Sequence, residues 1–328
     1  MHDTIARMIR TSVGVLRGGT SGEYELSIKS GAAIMNALPE EKYEMRDILI
    51  DRNGLWHLRG TPATPARALS QVDVVLNALH GGVGEDGTVQ RILDRVGVPY
   101  AGSRALGAGL SLNKIRARAV LDRAKILIPR GIAFSLNNNM NTSDMAKVVF
   151  STIGPPYVVK PPAEGSSQGI RIANTVIELP DALGDTLDQY GSALVEEYLI
   201  GAHATVAVLE HFRQEPLYVF PPAHIDLPKR VLYFDPRSET VSGRHIVPSR
   251  FPQDIKMQIA EIARRAHEAL HLAHYSDADF VVTRRGPVLL EVNALPGLHD
   301  RSAIPHMLEV VGSSLREFLE HLIHLARK

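Results

Sequence analysis

Residues 72–87 read VDVVLNALHGGVGEDG. Val72 to Leu79 is nearly all apolar, as a parallel strand covered on both faces should be. It runs into a glycine-rich loop, His80 to Gly87, and a helical pattern from Thr88 to Val96 follows. The start of the chain repeats that order. Ser12 to Leu16 is a short β-prone run, Arg17 to Glu23 is a turn with three glycines, and Glu25 to Leu38 is a helix stopped by Pro39. The β–α alternation predicts an open parallel sheet with ligands near the carboxyl ends of its strands. His80 lies at such an end.

Further along, Gly97 to Ser103 reads as a short strand and a boundary. Asn113 to Ala124 is a basic helix, and Ser135 to Thr142 an exposed polar loop. The spacing predicts strands at Tyr157–Lys160, Ala193–Leu199 and Ala204–Leu209. Leu227 to Arg250 is polar, with prolines and no clear period, and is expected to be a mobile loop over a site. Gln253 to Leu272 is an amphipathic helix with Ile255, Ile259, Ile262, Ala266 and Leu270 on one face. Asp279–Val282 and Val288–Val292 flank Thr283-Arg284-Arg285-Gly286, a hairpin signal. The last helix, Ser313 to Ala326, turns Leu315, Phe318, Leu319, Leu322 and Ile323 inward.

The hairpin carries the sharpest chemistry. Period two puts Glu291 and Asn293 on one face. Folding about Arg285 brings Asp279 opposite residue 291 or 292. Three oxygen donors without histidine or cysteine suit magnesium, which shares its ligands with phosphates and water. Their apolar neighbours Phe280, Val281, Leu289, Leu290 and Val292 make unpaired carboxylates costly there. Lys160, at a strand end, precedes Glu164-Gly165-Ser166-Ser167-Gln168-Gly169, a loop whose N–H groups and hydroxyls can wrap an anion. Lys114 lies in the basic helix with Arg116 and Arg118. Glu196-Glu197-Tyr198-Leu199 ends an apolar strand, where a carboxylate and backbone groups can meet an adenine edge.

Composition removes other classes. The 328 residues hold no cysteine, which excludes disulfides, thiolate metal sites and a cysteine nucleophile. Lysine plus arginine and aspartate plus glutamate are both 36, so no global charge draws the chain to nucleic acid or an anionic membrane. No apolar run reaches the length of a bilayer span and no signal peptide is visible, so a cytoplasmic protein is expected. No GxxxxGK[ST] or GxGxxG spacing occurs.

Taken in order, the motifs resemble the D-alanine–D-alanine ligases of the ATP-grasp superfamily over nearly the whole chain. The anchors are Gly18–Glu23, His80–Gly87, Pro99–Ser103, Asn113-Lys114, Val159-Lys160-Pro161 with Glu164–Ser167, Glu196–Gly201, Asp279-Phe280, Glu291–Asn293 and Pro296-Gly297 to Ser302. The resemblance implies an α/β fold of ATP-grasp type. An N-terminal open parallel α/β sheet domain (1–103) would precede two α+β subdomains that clamp ATP, a central one (104–195) and a C-terminal one (196–328) with the metal and substrate site. It implies ATP-dependent joining of two amino acids through an acyl phosphate, as in peptidoglycan precursor synthesis, by a cytoplasmic homodimer. Glu23 would hold the first ammonium, with His80 near it and Ser166 orienting loop and substrate. Lys114 and Lys160 would meet the ATP phosphates, and Glu196, Tyr198 and Leu199 would frame adenine. Asp279, Glu291 and Asn293 would bind magnesium, or manganese in its place. The Gly297 N–H would face the oxyanion, and Ser302 the second carboxylate.

Four departures from the family's pattern stand out. Asp277 stands where it has arginine, and His203 stands where it has its ribose-binding glutamate. Arg237 and Ser238 replace the lysine–tyrosine pair of the mobile loop. Leu298-His299-Asp300-Arg301 replaces a small neutral stretch. The changes cluster on the second-substrate side and raise two alternatives: a ligase for a different amino-acid or hydroxy-acid pair, and a catalytically impaired ATP-binding homologue.

Overall fold

Thr11–Gly18, the first strand, is the centre of the N-terminal sheet. It pairs in parallel with Tyr43–Ile50 on one side and Val74–Asn77 on the other. The computed structural model describes residues 10–138, 140–165, 168–226 and 244–328. Two short antiparallel strands, Trp56–Leu58 and Thr61–Pro62, extend the sheet beyond Tyr43–Ile50, so it is mixed rather than wholly parallel. The sequence pattern missed Tyr43–Ile50 because Glu44, Arg46 and Asp47 break up its apolar run; Arg17 holds Asp47 through two bonds of 2.7 Å. Gly97–Ser103 is not a strand. It makes a single bridge, Tyr100 to Val75.

Gly18 ends the first strand with φ of +91° and donates its N–H to Ser27 Oγ at 2.7 Å. A Cβ there would stand 2.2 Å from the Ile50 carbonyl oxygen. Both the positive φ and the backbone contact forbid a side chain. Gly18→Ala is therefore expected to cost about 3 kcal/mol, read by chemical denaturation of the full chain. An unchanged midpoint would refute this account of the turn.

Two further sheets follow. The central one has four strands, in the order Gly131–Ser135, Ser192–Glu197, Tyr157–Lys160, Arg171–Ala173. Helices Thr142–Thr152 and Leu179–Tyr190 cover it through Met145, Val149, Leu183 and Leu187. The C-terminal sheet has six strands built around Ala202–Glu210 and the hairpin Tyr275–Thr283/Gly286–Asn293. One face of it, with Ala204, Val206, Val208, Ala278, Phe280 and Leu289, packs on helix Gln253–Ala269. Ile259 and Ala266 of that helix are buried, while Ile255 and Ile262 are partly covered. On the opposite face, Ala207, Leu209 and Tyr275 join a core shared with Val13, Val15 and Ile34 of the N-terminal unit and Phe318 and Leu322 of the last helix, Leu315–Ala326. That shared core brings the N-terminal glycine loops against the C-terminal sheet.

Of the expected loop at 227–250, residues 227–243 lie outside the described residues. Arg244–Ile246 is a strand paired with Ala223–Asp226. Among the described residues no helix is long and apolar enough to cross a membrane.

Candidate active site

The hairpin register decides the metal end of the site. Asp279 pairs with Glu291 and Asp277 with Asn293. The neighbouring strand places Thr205 opposite Asp279 and His203 opposite Val281. Because side chains alternate, His203, Thr205, Asp277, Asp279, Glu291 and Asn293 share the face turned away from helix Gln253–Ala269. Asn293 Nδ2 donates to Asp277 Oδ1 at 2.8 Å and to Asp279 Oδ2 at 3.3 Å. Thr205 is buried, and its hydroxyl has no hydrogen-bond partner among the described residues. A polar atom orphaned beside Asp279 fits a hydrated cation, whose waters supply the missing bonds. Among the described residues no three His, Cys, Asp or Glu side chains are set to hold a metal by themselves. Two carboxylates and an amide instead suit an ion that keeps waters and shares its ligands with phosphate.

Lys114 ties the hairpin to the loop after Lys160. Asn113 caps its helix by accepting from Arg116 N at 3.0 Å. Lys114 N donates to Pro162 O at 2.7 Å, and Nζ donates to Glu164 O at 2.8 Å while standing 3.4 Å from Glu291 Oε2. Burial pushes the Glu164 carboxyl up; Lys114 opposes the shift and Glu23 adds to it. Glu164 thus lies within reach of both Lys114 and the N-terminal unit.

Lys160 and Glu196 sit on paired strands of the central sheet, 4% and 5% exposed. Lys160 Nζ is 2.7 Å from Glu196 Oε2, and Arg118 Nη1 is 3.1 Å from Glu196 Oε1. The Glu196 carboxylate is held between two cations, and the trio keeps one net positive charge. Arg118 escaped the sequence reading as part of a basic helix face. Its spacing from Lys114 was the available signal, since residues four apart share one helix face. Lys114, Arg118, Lys160, Glu196 and Glu291 line one cleft between the central and C-terminal sheets.

Tyr198 and Leu199 line a separate, open depression with Arg130, Glu197, Thr283 and Arg285. Glu197, not singled out by sequence, accepts from Arg130 Nη2 at 3.0 Å and Arg285 Nη2 at 2.7 Å. Burial alone would raise its carboxyl. The Arg130 backbone N–H and the two guanidinium groups outweigh that and hold it below the usual range. The Tyr198 N–H donates to Pro156 O at 3.1 Å. Burial pushes the His203 imidazole down, so it is neutral near pH 7 and is no substitute for a carboxylate.

The N-terminal loops close the other side. Glu23, 5% exposed, precedes helix Tyr24–Ala37. Its backbone N–H donates to Ser21 Oγ at 3.2 Å, and Ser21 Oγ donates to His80 O at 2.5 Å. Gly81 has φ of +68°, donates its N–H to Glu85 at 2.8 Å, and leaves no room for a Cβ, which would stand 2.5 Å from Glu23 Oε2. His80 Nε2 and Ser30 Oγ are 2.8 Å apart, and Leu298 N donates to the same Ser30 Oγ at 3.4 Å. Ser30 thereby joins the His80 loop to the Gly297 turn. A Cβ on Gly297 would meet Ser302 Oγ at 2.6 Å and His299 Cδ2 at 3.6 Å. Ser302 is the N-cap of helix Ala303–Val310, whose first N–H groups suit a carboxylate. Of the divergent stretch, His299 is turned to this turn and Leu298 is buried in the core. Asp300 and Arg301 are exposed.

His245 and His306 have ring centroids 6.3 Å apart. Burial, then His306, pushes the His245 imidazole down to about 4, so it is neutral at working pH. Ser166 and Arg237 lie outside the described residues. Gln168, just after the serine pair, reaches Gly22, where a Cβ would stand 2.1 Å from its Nε2.

Comparison with known proteins gives concordant matches. The family model described as D-ala D-ala ligase C-terminus matches residues 121–324, and the one described as D-ala D-ala ligase N-terminus matches 12–67 and 57–103. A D-alanine--D-alanine ligase of Halalkalibacterium halodurans is 34% identical over 96% of this chain and 99% of its own length. One of Desulforudis audaxviator is 32% identical over 96% and 98%. Among solved structures, the VanG D-Ala:D-Ser ligase of Enterococcus faecalis superposes with a TM-score of 0.84 at 27% identity, covering 97% of this chain and all of that one. A D-alanine--D-alanine ligase of Bacillus anthracis complexed with ATP gives 0.79 at 25%, covering 96% and 97%.

Proposed function

The chain belongs to the D-alanine–D-alanine ligase family, and from that premise we propose how its residues divide the work of ATP-dependent ligation between two amino acids. In this reaction a carboxylate oxygen of the first amino acid attacks the γ-phosphorus of ATP, and ADP leaves. The amine of the second amino acid then attacks the acyl carbon, and phosphate leaves with the original carboxylate oxygen. The product is the dipeptide of peptidoglycan precursor synthesis.

Glu23 takes the ammonium of the first amino acid, with His80 beside it. Lys114 and Lys160 neutralise phosphate charge from opposite sides of the cleft, and Arg118 fixes Glu196 so that Lys160 keeps its place. Asp279, Glu291 and Asn293 would hold magnesium, which would supply positive charge against the phosphates when bound. The Gly297 N–H is set to face the oxyanion of the second step, and Ser302 at its helix N-terminus the second carboxylate. Ser166 and Arg237 keep the roles that the resemblance implies, the first in orienting substrate and the second in closing over it. Tyr198 and Leu199 frame the base. His203 meets the ribose as a neutral imidazole. We read three units, 1–103, 104–195 and 196–328, in a cytoplasmic homodimer.

The observation that carries this reading is the convergence of Lys114 and the Glu164 carbonyl, from two separate segments, on Glu291 of the Asp279 hairpin. Full-length chain incubated with ATP, magnesium and D-alanine is expected to yield D-alanyl-D-alanine and one ADP per dipeptide, read by mass spectrometry. His299 beside Gly297 favours a second reading, in which the second subsite takes another amino acid or a hydroxy acid. Adding a mixed pool of these separates the two by product mass. No ADP with any pair would overturn both.

A further inference from the structure

Asp277 stands where the resemblance expects arginine, and it does not turn away from the site. It is the cross-strand partner of Asn293 and accepts from Asn293 Nδ2 at 2.8 Å. Asp279 accepts from the same nitrogen at 3.3 Å. Ionised carboxylates only accept hydrogen bonds, so two of them facing one amide fix which end of it they meet. The nitrogen faces the aspartates, and Asn293 Oδ1 is left to face the cation. With a non-accepting residue at 277, the 3.3 Å bond to Asp279 alone holds the nitrogen in place, and an amide that rotates away from Asp279 presents N–H groups to the metal.

We propose that Asp277 is a positioning residue for the metal site: it locks the Asn293 amide with its oxygen toward the cation. The inference rests on the assignment of Asp279, Glu291 and Asn293 as metal ligands. Asp277 acts through Asn293 and is not itself a ligand.

The test is a Mn2+ titration of the full chain with a non-hydrolysable ATP analogue, following free Mn2+ by electron paramagnetic resonance. Asp277→Ala removes the acceptor and is expected to weaken Mn2+ binding about tenfold or more. Asp277→Asn loses the charge but keeps an acceptor oxygen, and should stay within about threefold of the unmodified chain. In an Asn293→Asp background there is no amide to orient, so adding Asp277→Ala should there cost less than about threefold. That double variant also keeps the inference testable if Asp277→Ala alone folds poorly. Equal losses in the alanine and asparagine variants, or a full loss in the Asn293→Asp background, would mean that Asp277 acts by charge and overturn positioning. Unchanged affinity in Asp277→Ala, with normal binding by the unmodified chain, overturns the inference alone. No Mn2+ binding by the unmodified chain overturns the ligand assignment and this inference with it.

Discussion

Lys160→Met is expected to lower ATP turnover by at least about 100-fold, the loss typical when one fixed charge donor is removed from a transition state. It should also destabilise the chain by about 2–3 kcal/mol. Breaking a buried ion pair usually costs about 3–5 kcal/mol, because a charge is left without its partner. The cost is smaller here because Arg118 stays 3.1 Å from Glu196 and still offsets its charge. Glu196→Gln makes the informative contrast. It leaves Lys160 and Arg118 both near a neutral amide, so a buried lysine and a partly buried arginine repel with nothing between them. Its stability loss should exceed that of Lys160→Met, while ATP binding is kept because the positive charge in the cleft rises. Denaturant midpoints together with an ADP-release assay read both quantities. If Lys160→Met loses stability but keeps turnover, Lys160 only buttresses the central sheet and the phosphate assignment is wrong.

The contrast also shows what kind of information the sequence held. A lysine at the end of an apolar strand is visible in one dimension, and so is a glutamate at the end of another. That both strands are neighbours, and that Arg118 reaches Glu196 from a helix 78 residues earlier, is a property of packing. The same division holds for the hairpin. Period two and a four-residue turn fix the register as far as Phe280–Leu289; a β-bulge between Asp279 and Phe280 then shifts it by one and brings Glu291 opposite Asp279, so the pair was legible only to within one residue. The same shifted register makes Asp277 and Asn293 partners on the site face, yet the hydrogen bond between their side chains is not read from spacing. The strand Tyr43–Ile50 shows the opposite failure. Its charged residues are satisfied by distant partners such as Arg17, so its polar face hides a strand that period and composition do not mark. Glu197 was passed over because its partners, Arg130 and Arg285, lie 67 and 88 residues away.

Asp279→Ala is expected to separate function from stability most sharply. The aspartate is 8% exposed on a strand whose opposite face is packed in the core, a position where most substitutions destabilise. Yet three carboxylates, Asp277, Asp279 and Glu291, share this face, while Lys114 is the cation 3.4 Å from Glu291. Like charges held close resist folding unless a metal ion neutralises them. Removing one in metal-free chain therefore relieves repulsion. It also deletes the 3.3 Å bond to Asn293, worth about 1 kcal/mol. The two effects oppose each other, so metal-free stability should change by no more than about 1 kcal/mol. Magnesium with ATP should add stability to the unmodified chain and almost none to the variant, because only a ligand that binds the native state raises it. Turnover should fall by about 1000-fold or more, as when a preorganised charge-stabilising group is lost. Thermal melts with and without magnesium and ATP, beside a product assay, decide the matter. A variant that melts well below the unmodified chain without metal would make Asp279 a structural residue. A variant that still gains stability from magnesium would remove it from the metal site.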